Sequence, residues 1–209
     1  MNIQLLSAAE RDAIATTQLR EFLSPLGLTE RAPRSWIDST QAPARRLFEI
    51  QILKAASMKA CWGFSLDFVP HISGGRVRWH RTDKTAMLDV FIDPRDMLRP
   101  SFLQGPAILI QGLQGLLPEA TIRAGESWRQ GATFHGMLEI IRGIQNGQTN
   151  CFGYRNYTQL PLAYAFLLAK TGDLRTAEEE LDTYAALTGS MTTRLPSSKS
   201  SLAIGPGRA

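Results

Sequence analysis

Apolar and polar residues alternate along two stretches in the first third of the chain. In RRLFEIQIL, residues 45–53, every second residue from Phe48 is apolar, and in CWGFSLDFV, residues 61–69, the same holds from Trp62. This spacing predicts two β-strands, each with one buried face. A shorter strand is expected near residues 35–38.

The segment RVRWHRTDKTAMLDVF, residues 76–91, combines basic, aromatic and turn-forming residues. A turn within residues 81–84 would fold it into an antiparallel hairpin in which Trp79 faces Ala86. In this register one side of the hairpin is apolar and faces the core, while a slip by one residue would mix the two sides. The core-facing side collects Val77, Trp79, Ala86, Leu88, Val90 and Ile92.

The opposite side of this hairpin is predicted to carry charged side chains. Together with one residue of the preceding strand they form a set of five: Asp67, Arg76, Arg78, His80 and Asp89. Such a set could bind an anionic group or act as an acid–base pair, or it could be a surface of cross-strand ion pairs worth about 1 kcal/mol or less each. We take the five as the candidate partner-binding residues.

Helix signals frame the sheet on both sides. Ser7 and Glu10 have the spacing of a capping box, and the apolar periodicity that follows predicts a helix over residues 8–24. After the last strand, Asp93-Pro94 has the composition of a helix N-cap followed by a first-turn proline. We therefore expect the sheet to end there.

The second half of the chain has helical periodicity. Gly105-Pro106 is expected to open a short apolar helix that Pro118 ends. GMLEIIRGIQN, residues 136–146, has apolar residues at the spacing of one helix face. QLPLAYAFLLAKTGDLRTAEEELDTYAALTG, residues 159–189, is interrupted at Gly172-Asp173 and therefore predicts a helical hairpin.

These elements predict an α+β protein in which an N-terminal helix packs on an antiparallel sheet of three or four strands and a helical C-terminal lobe follows. We expect the helix and sheet to occupy residues 1–98 and the helical lobe residues 99–189. Residues 190–209 are rich in Ser, Thr, Gly and Pro and are expected to be a disordered tail.

The net charge of +4 is concentrated at the C-terminal end. Residues 190–209 hold three basic residues and no acid, so the rest of the chain has a net charge of only +1. A body so nearly neutral has no general attraction for a phosphate backbone. Because Trp79 is assigned to the core, Phe91 is the one aromatic residue expected on the basic side, and nucleic-acid binding is the less favoured alternative.

Cysteine use and hydropathy indicate a cytoplasmic protein. Cys61 and Cys151 lie ninety residues apart and are expected to be reduced thiols, with Cys151 the more plausible reactive one. The first residues lack the basic region of a secretory signal, and no window holds eighteen uncharged apolar residues. We therefore expect no membrane association.

No pattern of catalytic or metal-binding residues is present. The three histidines, His71, His80 and His135, have no second histidine or cysteine three or four residues away, and no His-Glu-x-x-His pattern exists. Signatures of a nucleophilic serine and of a glycine-rich phosphate loop opening a helix are absent from the sequence. We assign no catalytic residue, metal or cofactor.

Two stretches resemble known families. LREFLSPLGLTER ahead of Trp36, followed by RLFEIQIL as the first long strand, resembles small bacterial domains of the toxin-immunity type, over residues 1–95. That resemblance implies a protein partner and carries over no catalytic residues. Residues 160–187 resemble one tetratricopeptide unit, with Gly172-Asp173 in the turn and Ala177 as the small residue, but lack the tryptophan and leucine expected in its first helix. The 18 arginines against 5 lysines also suit a bacterial source.

The leading hypothesis is a non-enzymatic cytoplasmic protein that binds a protein partner through the charged sheet face or the helical hairpin. The alternative is a small hydrolase or transferase that uses the five charged residues, which would then converge on a concave pocket. Nucleic-acid binding is the second alternative. No feature of the sequence fixes an oligomeric state.

Overall fold

A computed structural model provides the structure of the protein. It describes residues 6–38, 40, 43–54, 56–73, 76–79, 82–154 and 159–188. The predicted tail, residues 190–209, lies outside the described residues.

The first helix forms where the capping box predicts it. Helix α1 spans Ala8–Leu23. The Ser7 backbone N–H donates to the Glu10 carboxylate at 2.8 Å, and the Glu10 backbone N–H donates to Ser7 Oγ at 3.3 Å. The helix ends in a short 3₁₀ turn and at Gly27, whose φ of 79° is a left-handed conformation that glycine adopts without strain.

The strands form an antiparallel sheet of five strands and a separate two-stranded ribbon. In chain order the strands are β1 (Thr29–Ala32), β2 (Ser35–Asp38), β3 (Ala44–Leu53), β4 (Ser57–Leu66), β5 (His71–Ser73), β6 (Arg76–Arg78) and β7 (Val90–Ile92). The order in the sheet is β1-β2-β3-β4-β7, and β5 pairs with β6 in the ribbon. The α+β class with an antiparallel sheet is confirmed, with one strand more than the three or four expected.

The hairpin predicted over residues 76–91 does not form. Strand β6 pairs with the preceding strand β5, with His71 opposite Arg78. Strand β7 pairs with β4, with Trp62 opposite Ile92. A 3₁₀ turn at Asp83–Thr85 lies between them. The predicted register was wrong because the long strand β4 offers β7 an edge on which its apolar residues are buried, which pairing with the short exposed strand β6 could not provide.

Both faces of the sheet are covered. On one face Phe48 and Trp62 stack with their ring centroids 6.2 Å apart and belong to the main core. On the other face Cys61 belongs to a second apolar cluster that includes Ala86 and Leu88 from the segment before β7. The prediction of one buried face for β4 is therefore wrong: every residue of β4 after Ser57 is buried.

Four helices follow the sheet in the described part of the chain. They are α2 (Pro106–Gln130), α3 (Phe134–Gln145), α4 (Gln159–Lys170) and α5 (Leu174–Thr188). The turn between α4 and α5 contains Gly172 with φ 93°, so the helical hairpin is confirmed. Its assignment to the tetratricopeptide family stays a prediction.

Two expected helix boundaries were wrong. Asp93-Pro94 does not begin a helix, since Pro94 forms an isolated β-bridge with Cys151. Pro118 does not end α2 but lies inside it. An interior proline costs a helix about 3 kcal/mol, and α2 offsets this cost by burying seven residues along one face.

One continuous buried cluster joins α1, one face of the sheet and helices α2 to α5. The predicted division near residue 98 therefore marks a change from strands to helices along the chain, while the core on both sides of it is shared. Within the described residues, none of the helices combines the length and apolar character needed to cross a bilayer.

Candidate partner-binding surface

The five charged residues predicted to share a face have different surroundings. Arg78 is exposed on β6, and Arg76 lies on the same strand, whereas His80 lies outside the described residues. Asp67 is ion-paired with Arg45 at the end of β4. Arg78 is thus an exposed cation of the set in the part of the chain that the structure describes.

Asp89 is fully buried and fixes the backbone around it. Its carboxylate accepts hydrogen bonds from the Leu66 backbone N–H at 2.7 Å and from Gln159 Nε2 at 2.8 Å. Gln159 also donates to the Pro70 carbonyl at 3.3 Å. These bonds tie the end of β4 to the start of α4, so the geometry gives Asp89 a structural role and keeps it from any solvent-facing site.

Trp79 is exposed, contrary to its assignment to the core. Its side chain is 42% exposed and that of Val77 is 41% exposed. The Trp79 ring contacts Phe166 of α4 edge-on, with the centroids 5.8 Å apart. The error follows from the hairpin register, which placed Trp79 on the core side of the main sheet, whereas β6 pairs with β5 in a separate ribbon.

Two further aromatic residues, Phe68 and Phe134, are linked to this contact through Lys170. Phe166 is followed one helical turn later by Lys170, whose Nζ lies 5.2 Å from the centroid of the Phe68 ring. Phe68 in turn meets Phe134 at the start of α3, with the centroids 5.3 Å apart. We call the set of Val77, Trp79, Phe166, Lys170 and Phe68 the Trp79 surface.

Positive charge accompanies these rings. Arg78 is exposed on β6, a strand on which neighbouring side chains alternate between the two faces, and Lys170 of α4 is partly exposed. Neither forms an ion pair with any described residue. Tryptophan and arginine are both more frequent at protein interfaces than on the rest of a protein surface.

A cleft of about 520 Å³, lined by both polar and apolar residues, lies elsewhere, between the end of β7 and helices α2 and α3. Its lining includes Asp96, Arg123, Glu126, Glu139, Asn150 and Cys151. Arg123 donates two hydrogen bonds to Asp96, at 2.9 and 2.8 Å, which hold the pKa of that carboxyl below its usual range. Burial raises the pKa of the Cys151 thiol, so it is protonated at neutral pH and a weak nucleophile.

The cleft does not match the site that the enzyme hypothesis requires. It contains none of the five predicted residues. Within the described residues, no group of three or more His, Cys, Asp or Glu could hold a metal ion. Both cysteines are free thiols, as expected, and burial raises the pKa of Cys61 well above its ordinary value.

The sequence reasoning missed a buried ion pair. Lys59 and Asp93 contact each other with exposures of only 9% and 1%. The Lys59 ammonium also lies near the rings of Phe91 and Phe152, at 5.9 and 5.4 Å from their centroids. A lysine inside an otherwise apolar strand was the one available signal, and its partner could not be identified before β7 was placed beside β4.

Comparisons with known proteins identify no relative. The chain matches no family model, no curated protein and no solved structure.

Proposed function

We propose that this chain is a non-enzymatic cytoplasmic protein that binds a protein partner through the Trp79 surface. The observation that carries the proposal is the half-exposed Trp79, which lies against Phe166 with Val77 beside it. Tryptophan is among the residues that contribute most binding energy at interfaces, where it fills a partner's pocket. The proposal keeps the resemblance to bacterial immunity domains, whose function also depends on a protein partner.

The surface is suited to this role because its rings are held in place. Trp79 packs against Phe166, which is 8% exposed and belongs to the core. A tryptophan that is already oriented loses little conformational freedom when a partner covers it. The side chain is therefore ready to bind without rearrangement of the fold.

The enzyme alternative has less support. Asp89 is fully buried, and Asp67 is ion-paired with Arg45. A general acid or base must reach its substrate, and neither carboxylate is placed for that task.

Site-specific photocrosslinking tests the proposal. Val77 is replaced by a photoreactive phenylalanine analogue, and the protein is illuminated in the cells that naturally produce it. We expect a covalent adduct of one discrete protein, reduced about tenfold or more when Trp79→Ala is added. Ile122, which is 64% exposed on α2, provides the matched control position. Equal adducts at both positions, or none at position 77, would contradict the proposal.

Nucleic-acid binding is the second candidate function, and one observation favours it. The exposed ring of Trp79 next to Arg78 provides the stacking platform that the sequence reasoning had excluded. Single-stranded DNA would then quench the fluorescence of Trp79 with an affinity that falls steeply with salt. Photocrosslinking to protein alone, with no quenching by DNA, separates the two candidates.

A further inference from the structure

We infer that the partner segment recognised by the Trp79 surface is acidic, with a carboxylate close to a large apolar side chain. The inference rests on the proposed function, because it specifies the chemistry of the partner at the same surface. It is drawn from the charges, ring contacts and spacing of the described residues.

The two cations nearest Trp79 in the chain and on α4 have no carboxylate partner among the described residues. Nine basic residues of the described chain are paired with its own carboxylates, whereas others, among them Lys54, Lys84 and Arg129, are not. Those in ion pairs are Arg20, Arg31, Arg34, Arg45, Arg46, Lys59, Arg123, Arg142 and Arg175. Arg78 and Lys170 form no such pair with a described residue, so their charge remains available to a carboxylate from outside.

Lys170 is held where a partner can reach it. Its ammonium lies 5.2 Å from the Phe68 ring centroid, a contact that orients the side chain without cancelling its charge. The residue is also partly buried, which reduces screening by salt compared with a fully exposed lysine. A carboxylate placed there gains a charge-assisted hydrogen bond.

Asp67 and Asp89 lie near this surface, but neither carboxylate is free to repel an anionic partner. Asp67 directly precedes Phe68 in the chain and is paired with Arg45, which also meets Asp83 at 3.1 Å. Asp89 is buried and bonded to Leu66 and Gln159. Neither Asp67 nor Asp89 therefore places an unpaired carboxylate beside Lys170.

The spacing of the surface defines the segment that fits. Phe166, which supports Trp79, and Lys170 are one helical turn apart, which places their Cβ atoms about 5–6 Å apart. In an extended peptide, side chains two residues apart lie on the same side about 6–7 Å apart. The fitting pattern is thus an apolar residue that contacts Trp79 and an Asp or Glu two positions away that contacts Lys170.

Selection from a random twelve-residue peptide library displayed on phage tests the inference with the full-length protein as bait. We expect peptides that depend on Trp79 to be acidic and to hold a carboxylate two positions from a large apolar residue. Their affinity, measured by fluorescence anisotropy, should fall about tenfold or more in Lys170→Glu and should weaken with salt. Arg175→Glu, a matched charge reversal at an exposed position on α5, should change it less than about twofold.

Exchanging the charges of the peptide and of residue 170 distinguishes a lost ion pair from a misfolded variant. A selected peptide with its carboxylate replaced by lysine should bind Lys170→Glu better than it binds the unchanged protein. Peptides that depend on Trp79 but are neutral or basic would overturn the inference and leave the proposed function intact. If no selected peptide depends on Trp79, or if only single-stranded DNA binds there, both the inference and the proposed function are overturned.

Discussion

Gly63 in β4 is required because two neighbouring elements pack closely against its backbone. Its φ is 151°, and a Cβ built there would lie 1.7 Å from the Val90 carbonyl oxygen. Its own carbonyl accepts a hydrogen bond from Trp128 Nε1 at 3.1 Å. The glycine therefore lets β7 approach β4 closely while α2 is fastened to the same residue.

Replacing Gly63 with alanine should destabilise the fold severely. We expect Gly63→Ala to lower the free energy of unfolding by about 3 kcal/mol or more, because the backbone of β7 would have to move. Urea denaturation followed by circular dichroism measures the loss. Gly125→Ala, in α2 where a Cβ meets nothing within 4 Å, is the control and should stabilise by about 0.5–1 kcal/mol. Similar effects of the two substitutions would refute this account of Gly63.

At the scale of elements, the segment after β7 is fitted against α2 along its length. Asp96 pairs with Arg123, and Pro100 lies so close to Gly112 that an added Cβ there would come within 2.8 Å of it. The glycines of α2 interrupt its apolar periodicity in the sequence, and the helix was expected to end at Pro118. Gly112 instead provides the room in which another segment packs, and this could not be inferred without knowing what lies beside the helix.

The Asp96–Arg123 pair should contribute stability only above the ordinary pKa of an aspartate. The hydrogen bonds from Arg123 lower the pKa of Asp96 in the folded state, so the contribution is present above about pH 4 and is lost as the pH falls further. Both side chains are slightly more than a third exposed, so solvent screens their attraction and limits the contribution to stability to about 1 kcal/mol.

Urea denaturation of Asp96→Asn at pH 7, 5 and 3 tests this prediction. The variant should be less stable than the unchanged protein by about 0.5–1 kcal/mol at pH 7, and the difference should shrink at pH 3. Glu178→Gln, which removes an exposed acid of α5, is the control and should show little difference at any pH. A deficit of Asp96→Asn that stays constant with pH would rule out the ion pair as its cause.

For the whole molecule, the shared core predicts a single unfolding transition. Two hydrogen bonds join β4 to α2 across the core: Trp62 Nε1 donates to Ser127 Oγ at 3.0 Å, and Trp128 Nε1 donates to the Gly63 carbonyl. The sheet face that carries Trp62 is part of the same buried cluster as α2 to α5. Neither part can lose its packing without exposing the other.

We therefore expect tryptophan fluorescence and far-ultraviolet circular dichroism to give coincident unfolding curves. A fragment of residues 1–98 should lack a cooperative transition, because helices α2 to α5 cover the apolar face of its sheet. Two separated transitions, or a cooperatively folded fragment, would show that the two parts are independent domains.

The sequence by itself determined the elements whose signals are local. The capping box at Ser7, the alternation in β3 and β4 and the break at Gly172 each depend on residues within a few positions of one another, and each predicted its element. The α+β class followed from their order along the chain. For the candidate site, the sequence identified residues 76–79 as unusual and Arg78 as an exposed cation.

Only the tertiary structure decided which strand β7 joins, and that choice determined the site. Pairing depends on competition between distant edges, and the ten residues of β4 offered more burial than β6. The pairing of β7 with β4 has two consequences: Trp79 is exposed, and Lys59 contacts Asp93 in the interior. Residue patterns fix which side of a strand is apolar, whereas exposure depends on what covers that side, and this is a property of the assembled fold.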